Sequence, residues 1–244
     1  MGVRRDIYAR LSTASKTQLP RDTLSTMPSP KLSLANVTPT VLRGLTDSDL
    51  LEVSAGSHVE AQRFTGADIG GTDLTGTDFS ECAFIGVSAD QTQLRGARIS
   101  ESNFDRLDAA VLLAARSVLR DVSVTASRLG SIELYESTFN SVIVRDSKLG
   151  FVNLRGAELN NVIFNDCSID ELDLAGAKIN RLTFTSTSID TLDVTSATLR
   201  NVDLRGASLR QINGLAGLRG AIISGEQSLE LATVFANHLG LQVV

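Results

Sequence analysis

The 244-residue chain has no tryptophan, two histidines, two cysteines and four prolines. Two cysteines, Cys82 and Cys167, make neither a disulfide framework nor a zinc site. His58 and His238 lie far apart, neither with a nucleophile and an acid nearby in sequence, and no P-loop, GxSxG or HExxH stretch occurs. Enzymatic activity is therefore not expected, and no catalytic, cofactor-binding or metal-binding residue is assigned. No apolar run approaches the length of a membrane-spanning helix. Arg4 and Arg5 are not followed by an apolar signal core, so the expected location is the cytoplasm. A basic excess is missing too. The net charge is -5, so direct nucleic-acid binding through a basic surface is not expected.

What the chain does have is a strict period of five. Stepping by five from Val59 through Phe64, Ile69, Leu74 and Phe79 to Leu209 gives 31 positions, and 28 hold Leu, Ile, Val or Phe. The exceptions are Ala89, Ala109 and Ala114. Neither a helix nor a flat strand has this period, so the pattern indicates a solenoid.

The other positions of the repeat explain how five residues make one side of a coil. Two residues before each periodic centre the side chain is often small, as at Ala67, Cys82, Ala97, Ala157 and Cys167. Residues two apart on an extended chain face the same way, so both point inward. Two residues after the centre, glycine recurs (Gly66, Gly71, Gly76, Gly86, Gly96, Gly156, Gly176, Gly206), as a corner with positive φ requires. Four corners close a square coil of 20 residues. That spacing stacks Phe64, Phe84 and Phe104 on one side, and Phe164 on Phe184. From Ser117 onward the residue two before the centre alternates small and large (Ser117, Val122, Ser127, Ile132, Ser137, Val142), which predicts a wider square with unlike corners.

The stretches GADI (66–69), GTDL (71–74), GTDF (76–79), RGAEL (155–159) and RGASL (205–209) resemble the signature of the pentapeptide-repeat family. The resemblance implies an all-β solenoid, a right-handed quadrilateral β-helix. Residues 59–213 would make about eight coils, a rod of roughly 35–40 Å at one strand spacing per coil. Residues 107–119 (LDAAVLLAARSVL) depart from the pattern. Either the coil continues there with large and small positions exchanged, or the chain makes an excursion with a helical turn, as Ala and Leu favour.

Around the repeat, residues 1–40 lack periodicity and read as a flexible basic N-terminal arm, with a short helix near Asp6 to Ser12. Residues 41–58 are expected to cap the first coil through Leu42, Leu45, Leu50, Leu51 and Val53, because a bare solenoid end is an open sheet edge. Residues 214–244 are expected to form a C-terminal α-helix and tail. Ser224 and Gln227 make a capping box, Gly240 ends the helix, and Leu241–Val244 reads as one more strand. Leu229, Ala232, Phe235, Ala236 and Leu239 share one helix face. That face either caps the last coil or pairs two chains as a homodimer, in which case Phe235→Asp should give monomers.

For a binding surface, the 20-residue arithmetic gathers Asp170, Glu171, Asp173, Asp190 and Asp193 on one corner of the late coils. Stacked like charges invite a positive partner. Alternatively, Asp before the centre belongs to the repeat and hydrogen-bonds locally at the turn. Ile143 and Ile163 face outward one coil apart, with Tyr135, Arg155 and Phe151 as further contact candidates. Two functions follow. One is a non-enzymatic protein-binding scaffold. The other, implied by the resemblance to quinolone-protection members of the family, is a dimeric DNA mimic that binds DNA gyrase. Between residues 59 and 213, acidic residues exceed basic ones by only 21 to 15. A continuous acidic stripe would favour the mimic, and mixed charge the scaffold.

Overall fold

The computed structural model describes residues 33–242, so the helix proposed near Asp6 to Ser12, most of the basic arm and the last two residues of the tail lie outside the described residues. Parallel strands stack with a 20-residue offset: Val118 pairs with Thr138, Thr138 with Glu158, and Glu158 with Lys178. The pairings form one sheet of thirteen strands and one of seven, wound as a solenoid of about nine turns. The ladder begins before residue 59, where Thr46–Asp47 pairs with Gln62–Arg63, and ends after 213, where Ala221–Ile222 pairs with Val202–Asp203.

The period-five side chains fill the axis. Phe84 stacks on Phe64 and Phe104 with ring centroids 5.2 and 4.5 Å apart, and Phe164 on Phe184 at 5.4 Å. The small inward positions have a second task. The Ser127 amide donates to Ser147 Oγ and the Ser117 amide to Ser137 Oγ, both at 3.0 Å, so buried hydroxyls pair backbone groups of the preceding coil. Cys82 and Cys167 are the sulfur counterparts. Each is buried, and burial pushes its thiol pKa up, which leaves it a poor nucleophile.

The corners are more permissive than their glycines suggest. Among the described residues, seventeen other than glycine have positive φ, all two residues after a centre, among them Glu101 (φ 48), Arg116 (φ 60) and Asn161 (φ 62). Hydrogen bonds between coils hold many of these corners: the Ala126 amide donates to the Arg145 carbonyl, and the Glu136 amide to the Arg155 carbonyl. Those bonds offset the cost of a left-handed residue. Val111, Ser131, Phe151, Glu171 and Thr191 occupy the equivalent place on one edge without positive φ. Three corners of each late coil thus turn one way and the fourth another, whereas the Ser117–Val122 alternation, with its period of ten, would pair the corners two and two. On that fourth edge sit Gly130 and Gly150. A Cβ there would lie 2.5 Å from the Ala110 carbonyl oxygen and 2.1 Å from that of Gly130. Gly206 departs from the corner glycines expected in sequence. Its φ is not positive, and it is glycine for want of space, since a Cβ would lie 2.2 Å from the Phe184 carbonyl oxygen.

Residues 107–119 continue the coil. Asp108–Leu113 pairs in register with Arg128–Glu133, and Leu107 and Leu112 are buried beside the small centres Ala109 and Ala114. The exchange of large and small is imperfect in volume. A wholly apolar cavity of about 110 Å³ runs inside the coils, lined in part by Ala89, Ala114, Leu112 and Phe104.

Both ends are covered. Leu50, in a short 3-10 turn, is fully buried and plugs the first coil with Val53 packed beside it, while Leu51 stays exposed. At the other end, a 3-10 turn (Leu215–Leu218) leads to two short helices, α1 (Gly225–Glu230) and α2 (Ala232–His238), in place of the single helix expected. The Ser224–Gln227 capping box is present. The break at Leu231 lets that residue bury against the last coil with Val234 and Phe235 packed at the core's edge. Gln227 does more than cap. It is buried, and its Nε2 donates to the Leu204 and Ala207 carbonyls, both at 2.7 Å. Leu241 and Gln242 form no strand.

Candidate partner-binding surface

Of the five acidic residues gathered on one corner in sequence, Asp173 pairs in register with Asp193. Their charges, however, are largely engaged within the chain. Asp173 is buried, accepts the Ala175 amide at 3.0 Å and receives the guanidinium of Arg155. Asp193 accepts the Thr195 amide at 2.8 Å. Asp190 pairs with Arg210 at 2.7 Å. Asp170 and Glu171 remain exposed. The same turn recurs at Asp68, Asp73 and Asp203, each accepting the amide two residues on, so Asp before a centre is largely a turn residue. Two of these carboxyls lie below the usual carboxylate range. The side chain and amide of Thr75 lower Asp73, and the guanidinium of Arg205 lowers Asp203.

Positive side chains interleave with acids along the rod. Arg116 bonds Glu136 at 2.6 Å and Lys178 bonds Glu158 at 2.9 Å, each across one 20-residue step. An amide ladder the sequence reading overlooked lies alongside. Asn160 donates to Asn140 at 3.2 Å, Asn180 to Asn160 at 3.0 Å, and Asn201 to Asn180 at 3.2 Å. Three of these asparagines recur at the coil length, the signal that would have revealed the ladder.

Ile143 and Ile163 do project from the coil wall, but they are not a bare patch. Residues 33–42, of which the sequence places 33–40 in the flexible arm and 41–42 in the N-terminal cap, instead run as an extended segment along the rod. The correction has a simple cause: an aperiodic stretch can still be ordered by the wall it lies on. Asn161 clasps one residue of it at both ends, accepting the Asn36 amide at 2.8 Å and donating to the Asn36 carbonyl at 2.9 Å. Thr183 Oγ1 accepts the Ala35 amide at 3.4 Å, and Asn103 donates to the Thr40 carbonyl at 2.9 Å. Between these clasps the segment crosses Ser123, Ile143 and Ile163, which accounts for Ile143 being only 7% exposed despite facing outward.

The C-terminal face divides differently from the sequence expectation. Phe235 turns toward the chain's own last coil, whereas Leu229 (79% exposed), Ala232 and Leu239 (72%) face outward, with Ala236 between. Five residues assigned to one face therefore lie on two, because Phe235, one turn after the buried Leu231 and donating its amide to the Leu231 carbonyl, follows that residue inward.

Residues 63–100 and 147–185 match the sequence pattern of pentapeptide repeats, in eight copies, and the coils they occupy have the 20-residue register described above. Both segments are pentapeptide repeats. The chain is similar to the solved structure of a trypsin-treated form of QnrB1, a plasmid-mediated fluoroquinolone resistance protein. The identity is 18%, over 81% of this chain and 96% of that one, with a TM-score of 0.34. Full-length QnrB1 matches at 16% identity over 78% and 94% of the two chains, with a TM-score of 0.31. HetL, a pentapeptide repeat protein involved in heterocyst differentiation regulation in the cyanobacterium Nostoc sp. strain PCC 7120, matches at 20% identity over 69% and 90%, with a TM-score of 0.20. No curated protein matches the chain. Among the described residues no helix is long and apolar enough to cross a membrane.

Proposed function

We propose that this pentapeptide-repeat protein is a non-enzymatic scaffold that binds a protein partner through the walls of its rod. The observation that carries this reading is the pairing of charge along the rod. Glu136, Glu158, Asp173 and Asp190 each meet an Arg or Lys of a neighbouring coil. A DNA mimic needs a sustained negative field, and interleaved opposite charges cancel one another beyond about 10 Å at ordinary salt. A surface of alternating charge, hydroxyl and amide ladders suits specific contact with a protein.

Two experiments test this. The full-length protein, immobilised, should capture a defined partner from extract of its own host. Added to a DNA gyrase supercoiling reaction, with and without a quinolone, it should leave supercoiling and drug-induced cleavage unchanged. Inhibition at low micromolar concentration that disappears when Asp170, Glu171 and Asp190 become Asn, Gln and Asn would replace the scaffold with the gyrase-binding mimic.

Homodimerisation is proposed through the outward row Leu229, Ala232 and Leu239, exposed apolar residues at the rod's end with the half-buried Ala236 beside them. The discriminating change is Leu229→Asp with Leu239→Asp. It leaves Phe235 and Leu231 in place and should halve the mass measured by light scattering without altering the melting temperature. A mass that does not change between the two proteins rejects the interface. Phe235→Asp is a poorer probe because Phe235 packs against the chain's own core.

A further inference from the structure

We propose that the wall beneath residues 33–42 is a docking site for an extended peptide of small, uncharged residues, closed in the free chain by its own segment. The inference gives the scaffold reading a place and a partner chemistry, and it rests on that reading for its biological use.

The wall itself is distinctive. Its outward positions, one per coil, read Ala83, Asn103, Ser123, Ile143, Ile163 and Thr183, six successive uncharged side chains. Other rows carry charge in their middle, such as Arg98 to Lys178 through Glu158, or Asp108, Arg128 and Lys148. An uncharged strip mixing isoleucine with hydroxyl and amide groups repels no backbone and leaves few polar groups to desolvate.

The occupant shows what the strip recognises. Of the five hydrogen bonds that join the segment to the wall, four use backbone groups of the segment: the Ala35 amide, the Asn36 amide, and the Asn36 and Thr40 carbonyls. Only the Thr40 hydroxyl, donating to the Asp121 carbonyl at 3.4 Å, is a side-chain contact. Recognition of main chain by asparagine is indifferent to sequence, provided the peptide is extended and its inward side chains are small. The exposure of the segment alternates to match. Ala35, Val37 and Pro39 are half-buried, and Leu34, Asn36 and Thr38 are exposed. An extended peptide advances about 3.3 Å per residue against about 4.8 Å per coil, so the four residue steps from Asn36 to Thr40 reach from the coil of Asn161 to that of Asn103.

The segment is lightly held. None of residues 33–42 is buried, and five hydrogen bonds each contribute on the order of 1 kcal/mol. Its advantage over a free peptide is its attachment, through residues 43–45, to the first strand at Thr46–Asp47. Attachment gives it an effective concentration in the millimolar range. A longer or better-fitting peptide competes on those terms and, in displacing the segment, takes over Ile143 and Ile163.

The test uses the full chain carrying Asn36→Pro, which removes the amide hydrogen that Asn161 accepts, and a fluorescein-labelled peptide of residues 33–42. By anisotropy, the peptide should bind this variant about 10-fold or more tightly than the unaltered chain, whose tethered segment competes. Adding Asn161→Ala should abolish the gain. Equal binding to both chains, or a gain indifferent to Asn161→Ala, overturns the proposal. So does concentration-dependent dimerisation of the unaltered chain that Asn36→Pro abolishes, since the wall would then serve a second copy. Circular dichroism establishes that each variant keeps its solenoid. A separate readout needs no peptide: hydrogen exchange at the Asn36 amide should be slower than at Thr38 and should accelerate in Asn161→Ala. Fast exchange at Asn36 in the unaltered chain removes the clasp. A failed titration removes this site alone and leaves the capture experiment to decide the scaffold reading.

Discussion

Gly150→Ala should destabilise the protein by about 3 kcal/mol, more than the same change at a corner glycine. At Gly156 the φ is 64, the conformation glycine is usually kept for, yet an added Cβ would meet only Glu136 Cγ at 3.8 Å. Gly150 has ordinary backbone angles, but its Cβ would lie 2.1 Å from the Gly130 carbonyl oxygen and 3.1 Å from the carbonyl carbon. Neither atom can move without opening the ladder between Arg128–Glu133 and Lys148–Asn153. The same place is Ala110 one coil before Gly130 and Asp170 one coil after Gly150, so on this edge the tight approach belongs to these two coils. Gly156→Ala should cost about 1 kcal/mol, the penalty of a left-handed alanine. The chain already accepts that penalty at Ala61 and Ala126. Guanidinium unfolding midpoints of the two variants measure the contrast. Equal losses, or a larger loss at Gly156, would mean that the coils slide apart more readily than the ladder implies.

The second large effect is at Gln227. Gln227→Glu keeps an oxygen to accept the Ser224 amide but replaces the Nε2 donor with a carboxylate oxygen 2.7 Å from two carbonyls. Leaving those acceptors unpaired beside a buried charge should cost about 3 kcal/mol. Loss of the Ser224 cap alone (Ser224→Ala) should cost about 1 kcal/mol. The damage is expected at the end of the rod, as faster trypsin cleavage at Arg205 and Arg210. It should also depend on pH with a definite sign. Burial near carbonyl oxygens raises the folded-state pKa of the new carboxyl above its unfolded value, so the deficit shrinks as pH falls and grows as pH rises through that pKa. A deficit that does not change with pH would show that Gln227 acts by packing alone.

These two sites mark where sequence stops being sufficient. The solenoid, its coil length and the stacked Phe64, Phe84 and Phe104 were legible because burial repeats with the period of the chain, and one count places every inward side chain. That corners differ was legible through Ser117 and Val122, but their period of ten does not single out the one edge of Ser131, Phe151 and Glu171 that lacks positive φ. Gly150 was not, since close approach of two carbonyl-bearing strands leaves the same letter as a turn. The clasp of Asn36 by Asn161 was not, because the two residues are 125 positions apart and the segment has no period of its own. The acidic corner shows a third case. The register pairs Asp173 with Asp193 as the count requires, but availability depends on Arg155 and Arg210, whose reach is a rotamer rather than a register. The helix face failed locally. Leu229, Ala232, Phe235, Ala236 and Leu239 share a side by spacing, but Phe235, one turn after the buried Leu231, follows that residue inward.

The cavity beside Ala89 and Ala114 sets how the rod answers hydrostatic pressure. Water enters that volume when the coils separate, so the unfolded chain occupies less space than the folded one, by an amount on the order of tens of mL/mol for a void of this kind. The void is lined chiefly by residues of the first and middle coils, and the late coils around Leu172, Leu182 and Leu192 are fully packed. Compression therefore acts unevenly along the axis and loosens the middle of the rod while its C-terminal turns stay shut.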